Sequence, residues 1–266
     1  MIRPEHEGHG ETGETGESWK HEEPREHEEP RKSGGVRAPG SPEEAGEAVW
    51  RRLGRGGAVL SAAATACAHL AAGGAVDPLT GLVSEYALVD ATAWALVGGT
   101  LALASGCLWT AYGLTRTDPV RSAAARVLLV AAALGLLLTA VFPTDPAPGV
   151  VSAAGEIHRW SAAVVFTALP GAGLLLGHRY GAASLRAVSG AAVALLVVFL
   201  SAHPGSPVAD LIGGPGYYGL VERLLLLAEM ALVFLAAGHA GGRPVPVGSS
   251  SRVPLTPVGK PQTIGQ

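Results

Sequence analysis

Six long apolar stretches follow one another from residue 56 onward, and they constrain the fold of this chain more than any other feature. A bilayer core about 30 Å thick is crossed by about 20 helical residues, which is close to the length of each stretch. Residues 127–142 and 187–200 are apolar on every side of a helix, whereas a helix of a water-soluble bundle keeps a polar face. The pattern predicts membrane-spanning helices near residues 56–76, 91–114, 123–142, 160–178, 184–202 and 220–238.

Basic residues are unequally divided between the connections of these six stretches. After position 50, eleven of thirteen lysines and arginines fall before the first stretch, after the sixth, or around the second and fourth connections. The two exceptions are Arg159 and Arg223. Because basic loops stay in the cytoplasm, the division predicts that both termini are cytoplasmic. The other three connections then face outward.

The two ends of the chain differ from its apolar body. Residues 1–50 are rich in charge, and the motif HEEPR occurs at 21–25 and again at 27–31. Such a segment has too few apolar side chains to offset the entropy of ordering. We therefore expect an all-α, polytopic six-helix transmembrane bundle over residues 51–240, between a disordered N-terminal tail (1–50) and a disordered C-terminal tail (241–266).

Polar residues gather on the side predicted to face outward. An unpaired charge costs roughly 2.5–3.5 kcal/mol at the centre of a membrane helix and less near its ends. The polar residues at the span ends should therefore pair with each other or with a ligand. Among them, we expect His158 to face the bundle. The candidate outer cluster consists of Ser84, Glu85, Asp145, Glu156, His158, Glu222 and Arg223.

Two further polar residues fall within the predicted spans. Glu229 comes seven residues after Glu222, and therefore lies on the same helix face, with only apolar neighbours between them apart from Arg223. We expect it to face the interior of the bundle, either neutral or hydrogen-bonded. His69, placed mid-span in the first predicted helix, is the candidate partner.

Four short motifs occur in order along the spans. They are DPLTGLVSEYAL in the first outer loop, FPTDP after the third span, EIHRWSAAVVF at the fourth and GLVERLLLLAEM at the sixth. Over residues 55–240 the chain thereby resembles the bacterial membrane-protein family called domain of unknown function 998. The resemblance implies a six-helix protein of the cytoplasmic membrane without an established activity. It also implies that these residues match the family's polar landmarks: Ser84, Glu85, Pro143, Asp145, His158, Glu222 and Arg223.

Three functions remain open at this point. The first is a non-enzymatic binding or structural component, in which the outer cluster joins helix ends. The second is a metal-dependent hydrolase acting on lipid at the outer face, in which Ser84 or a metal-bound water could be the nucleophile. The candidate zinc ligands for it are His158, Asp145, Glu156 and His203. The third is a small transporter that uses Glu229.

The first of these functions is favoured, because the sequence lacks the hydrolase motifs H-E-x-x-H and G-x-S-x-G. No cofactor is predicted, with zinc as the alternative. The expected partners are membrane lipids and not nucleic acid.

Overall fold

The computed structural model describes residues 42–146 and 150–240, with side chains from residue 48 onward. Within these residues all regular secondary structure is helical, and no strand occurs. Two short 3-10 segments, Val83–Leu88 and Gly214–Gly216, lie in connections between the long helices. The six α-helices are α1 (Pro42–Ala71), α2 (Asp90–Thr117), α3 (Ala123–Val141), α4 (Ala153–Arg179), α5 (Ala183–Ala202) and α6 (Tyr218–Ala237).

Four of these helices, α2 to α5, are long and apolar enough to cross a membrane. Large apolar side chains of α3 and α5 also point away from the protein, as in Leu134, Val141, Val197 and Leu200. An outward apolar surface of this kind suits lipid, since a soluble bundle would cover it. The helices are those of a multi-pass membrane protein.

The helices form a closed ring of neighbours. Each packs against the next in sequence, and α6 returns to contact α1. Close approach between α1 and α2 depends on small residues. A Cβ added to Gly57 would lie 2.5 Å from the Ala102 carbonyl oxygen and 2.8 Å from the Gly106 Cα. Helix α6 also contacts α2 and α4, so its polar residues are placed at the centre of the bundle.

The first helix differs from its predicted range of 56–76. It begins at Pro42, inside the range predicted as the N-terminal tail, and ends at Ala71. The helix ends early because Gly73 and Gly74 have φ values of 55° and 90°, which a right-handed helix cannot accommodate. Residues 1–41 and 241–266, where the rest of both predicted tails falls, lie outside the described residues.

The fourth helix begins seven residues before its predicted start at 160. The Ser152 side chain accepts a hydrogen bond from the Gly155 N–H at 3.0 Å, which caps the helix from Ala153 onward. Glu156 and His158 therefore lie in the first turns of α4 and have fixed directions.

Candidate functional site

The loop between α1 and α2 is tied to the start of α6 by three kinds of contact. The first is a backbone hydrogen bond of 3.0 Å, in which the Leu220 N–H donates to the Leu79 carbonyl oxygen. The second is the Glu222 carboxylate, whose Oε2 accepts from the Val83 N–H at 2.5 Å. Both Val83 and Glu222 are buried, so this bond is shielded from water.

Arg223 supplies the third contact. Its Nη1 donates to the Gly81 carbonyl oxygen at 2.6 Å and to the Gly219 carbonyl oxygen at 2.9 Å. Its Nη2 donates to the Tyr86 hydroxyl at 2.9 Å, and the guanidinium lies 5.6 Å from the centre of the Tyr86 ring. Among the described residues Arg223 forms no ion pair within 4.0 Å. We name this set the loop-1 clasp: Leu79, Gly81, Val83, Tyr86, Gly219, Leu220, Glu222 and Arg223.

Tyr86 extends the clasp to α1. It is fully buried, and its hydroxyl lies 2.7 Å from His69 Nδ1. Because the hydroxyl already accepts from Arg223, it can donate its own proton to the histidine ring. His69 is exposed and lies in the last turn of α1, not mid-span as predicted. The early end of α1 accounts for this difference.

The turn before the clasp has a local anchor of its own. Asp77 Oδ1 accepts from the Thr80 N–H at 3.0 Å and from the Leu79 N–H at 2.7 Å. These two backbone bonds hold the pKa of the Asp77 carboxyl below its usual range. They also fix the direction in which Leu79 presents its carbonyl oxygen to α6.

A second polar group, which we name the α3–α4 corner, consists of Asp145, Ser152, Glu156 and Arg159. Asp145 Oδ1 accepts from the Ser152 hydroxyl at 2.6 Å. Arg159 Nη1 contacts Glu156 Oε1 at 2.6 Å, and its Nη2 lies 3.7 Å from Asp145 Oδ2. The Arg159 side chain is 57 % exposed and the Glu156 side chain 39 %, so their ion pair is open to water, whereas the Asp145 side chain is only 9 % exposed. Asp145 and Glu156 therefore pair with Arg159.

His158 is held by a different bond. Its Nδ1 lies 2.9 Å from the Phe142 carbonyl oxygen, at the end of α3. A carbonyl oxygen only accepts, so Nδ1 must carry the hydrogen atom. Nε2 is then the nitrogen that a ligand can reach, and in the neutral ring it is an acceptor.

A cavity of about 310 Å³ lies between the helices at the end where α3 stops and α4 and α6 start. The loop-1 clasp covers one side of it through Val83 and Glu222. Its deeper wall is apolar. The polar residues that line it are Ser61, Thr65, Ser84, Thr100, Thr139, His158 and Glu222.

Three residues of the predicted outer cluster thus line one cavity: Ser84, His158 and Glu222. Glu85 lies in the same loop and close enough to Glu222 to repel its charge, but it does not line the cavity. The Arg223 guanidinium, from the same cluster, lines a second space of about 300 Å³ between α1 and α6. Among the described residues no hydrogen bond joins Ser84 to His158, the contact that an activated serine would need.

Glu229 is fully buried in α6, and both of its carboxylate oxygens lack a hydrogen-bond partner among the described residues. The predicted partner, His69, is bonded to Tyr86 instead. That prediction was wrong because α1 ends early and carries His69 to the end of the bundle. No group of three histidine, cysteine or acidic side chains that could hold a metal ion occurs in the described part of the chain.

Several residues of this region were not predicted. Tyr86 is the centre of the clasp, yet its sequence position in a loop gives no sign of burial. The carbonyl groups of Gly81 and Phe142 were also missed, because backbone acceptors have no sequence signature. The threonines that line the cavity were overlooked because they occur within apolar helices, where Thr100 bonds its own helix backbone at the Leu96 carbonyl oxygen.

A comparison with known families agrees with the sequence motifs. The family described as "Protein of unknown function (DUF998)" matches residues 56–239, which is most of the chain and includes all six helices in whole or in part. No curated protein and no solved structure gives a match.

Proposed function

This chain belongs to the DUF998 family, and we propose that it is a non-enzymatic binding protein of the bacterial cytoplasmic membrane, with six spans and both termini in the cytoplasm. The central cavity then faces the outer side. Its ligand is a small molecule that reaches it from the membrane or from the outer solution.

The six-span arrangement is supported by the burial of the two glutamate side chains of α6. Glu222 is 7 % exposed and Glu229 is fully buried, so neither carboxylate meets lipid. Helix α1 packs against both α2 and α6 in the same ring, which supports counting it as a span as well. The uneven distribution of basic residues supports the orientation.

The observation that carries the binding role is the cavity itself. It has an apolar wall and a few converging polar groups, which is the usual composition of a small-molecule site. Its covering loop is fixed by the clasp, so the space is maintained by buried hydrogen bonds. Protein interiors are close-packed, so a cluster that only joined helix ends would not be expected to leave a space of about 310 Å³ between the helices.

Native mass spectrometry of the purified protein tests this role. The variant Ala162→Phe places a ring in the cavity, and Ala163→Phe places the same ring on the exposed side of α4 as a control. We expect a small molecule to remain bound to the unmodified protein and to Ala163→Phe, and to be absent from Ala162→Phe. Identical spectra for all three proteins would contradict a binding role for the cavity.

Thiol labelling of intact cells tests the orientation. In a background without Cys67 and Cys107, Thr80→Cys and Val150→Cys should react with an impermeant reagent, while Val120→Cys should not. All three positions are exposed in connections between helices. Labelling at Val120→Cys alone would show that the orientation is reversed.

A carrier role is the second candidate, and Glu229 is the observation that favours it. A fully buried carboxyl group without a partner is costly in a membrane helix, and such groups often lie on ion or proton pathways. Proteoliposomes with Glu229→Gln decide between the two. A proton flux that this substitution abolishes would favour a carrier over a binding protein.

A further inference from the structure

We infer that the cavity selects an amphiphile with a positively charged amine head, an inference that rests on the proposed binding function. The juxtaposition that carries it is Glu222 and His158 on one apolar cavity, each with an unpaired acceptor and neither with a cationic neighbour on the cavity wall.

Glu222 provides the first acceptor. Its Oε2 is bonded to the Val83 N–H, while Oε1 accepts no hydrogen bond from the described residues and is not enclosed by protein atoms. Since Glu222 is 7 % exposed and lines the cavity, the space that reaches Oε1 is the cavity. A carboxylate in such a place is stabilised by a donor that brings positive charge.

His158 provides the second acceptor. Because Nδ1 donates to the Phe142 carbonyl oxygen, the neutral ring has its lone pair on Nε2. A primary ammonium group has three N–H donors, so either acceptor can take a hydrogen bond from it. A carboxylate or phosphate head offers no donor to either of them.

The surrounding charges point the same way. No lysine or arginine within the described residues lines this cavity. Arg223 is directed to the clasp and to the second space, where its donors are already bonded. Arg223 and Glu85 both act on the charge of Glu222, Arg223 by attraction and Glu85 by repulsion, so the three groups together carry one negative charge. An anionic head would therefore meet repulsion, whereas an ammonium head would be attracted.

The apolar part of the ligand fits the deeper wall. Leu103, Leu136, Val165, Phe166 and Met230 line the cavity below the polar residues. An alkyl chain placed there removes apolar surface from water, which contributes about 0.8 kcal/mol for each buried CH₂ group. The polar and apolar walls together describe an amphiphile.

Isothermal titration of the full-length protein in phosphatidylcholine nanodiscs tests the inference, with three probes of equal chain length: octylamine, 1-octanol and octanoate at neutral pH. Titration into empty nanodiscs corrects for partition into lipid. We expect octylamine to bind about tenfold more tightly than 1-octanol, the effect of one charge-assisted hydrogen bond, and octanoate to bind most weakly.

Variants identify the residue that causes the preference for octylamine. Glu222→Gln keeps an acceptor for the Val83 N–H but removes the charge, so the preference for octylamine over 1-octanol should fall to about twofold or less. Glu222→Asp should recover part of the preference. Glu156→Gln is the matched control, because this carboxylate lies at the same end of the bundle, pairs with Arg159 and does not line the cavity.

Three results would overturn the inference and can be told apart. If 1-octanol or octanoate binds the unmodified protein as tightly as octylamine, the cavity binds ligands but the head group is misassigned. If none of the three probes binds, the proposed binding function fails together with the inference. Retention of the octylamine preference in folded Glu222→Gln would also contradict it.

Discussion

The loop-1 clasp and the α3–α4 corner both join helix ends with charged residues, yet they differ in range and in burial. The clasp connects residues 139 and 142 positions apart in the chain, and Glu222 and Tyr86 within it are buried. The corner connects residues of one short segment, and the Arg159 side chain is 57 % exposed. The Glu222 contact of the clasp is thus shielded from water, whereas the Arg159–Glu156 contact of the corner is open to it.

The difference determines how much each group should stabilise the fold. A broken contact in the clasp leaves buried donors and acceptors unpaired, which costs the full desolvation of each group. In the corner, Arg159 and Glu156 return to water when their contact is broken, so this exposed ion pair contributes about 0–1 kcal/mol. The clasp should therefore dominate stability at this end of the bundle.

Substitution of two glycines, one beside the clasp and one beside the corner, should give the largest difference in stability. A Cβ at Gly219 would overlap the Gly81 carbonyl oxygen of the clasp, and a Cβ at Gly155 would overlap the Asp145 carboxylate of the corner. A side chain can rotate away, but a backbone carbonyl held by Arg223 cannot. Gly219→Ala should lower the free energy of unfolding in detergent by about 3 kcal/mol and Gly155→Ala by about 1 kcal/mol. Equal losses for the two variants would contradict this difference.

The two arginines give the next largest contrast. Arg223→Ala removes three hydrogen bonds and leaves the Tyr86 hydroxyl and the Gly81 carbonyl short of a donor. We expect a loss of about 2–4 kcal/mol in unfolding free energy, against less than about 1 kcal/mol for Arg159→Ala. Chemical unfolding in detergent, followed by circular dichroism, measures both. A larger loss for Arg159→Ala would show that the corner, not the clasp, fastens this end.

A pair of tyrosines gives the smallest expected effect. Tyr86→Phe removes the hydroxyl shared by His69 and Arg223, at an expected cost of about 1 kcal/mol. Tyr217→Phe removes an exposed hydroxyl that bonds the Ile212 carbonyl oxygen at 3.3 Å, and should leave the unfolding free energy nearly unchanged. The melting temperatures of the two purified variants compare them directly. The contrast fails if Tyr217→Phe melts as far below the unmodified protein as Tyr86→Phe.

The apolar stretches predicted most helix positions well. Predicted spans at 91–114, 123–142, 184–202 and 220–238 fall within three residues of the bounds of α2, α3, α5 and α6. The errors occurred where polar chemistry sets the helix end. The Ser152 cap starts α4 early, and the φ values of Gly73 and Gly74 stop α1 early. Hydropathy does not contain this information.

The polar residues were harder to assign than the helices. Sequence reasoning identified Glu222 and His158 from their position at span ends, and the structure places both on one cavity. The sequence did not show that Asp145 and Glu156 would lie outside the cavity, because they are also polar residues close to span ends. This difference depends on which partner each side chain meets, and the partners are a backbone N–H, a backbone carbonyl and Arg159.

Disulfide cross-linking in the native membrane tests most directly whether loop 1 is fastened to α6 over the cavity. The Leu220 N–H and the Leu79 carbonyl oxygen are 3.0 Å apart, so the two Cα atoms are near enough for a disulfide. In a background without Cys67 and Cys107, the double variant Leu79→Cys/Leu220→Cys should cross-link almost completely with a mild oxidant, while neither single variant forms an intramolecular bridge. A double variant that stays reduced in the folded protein would contradict the clasp.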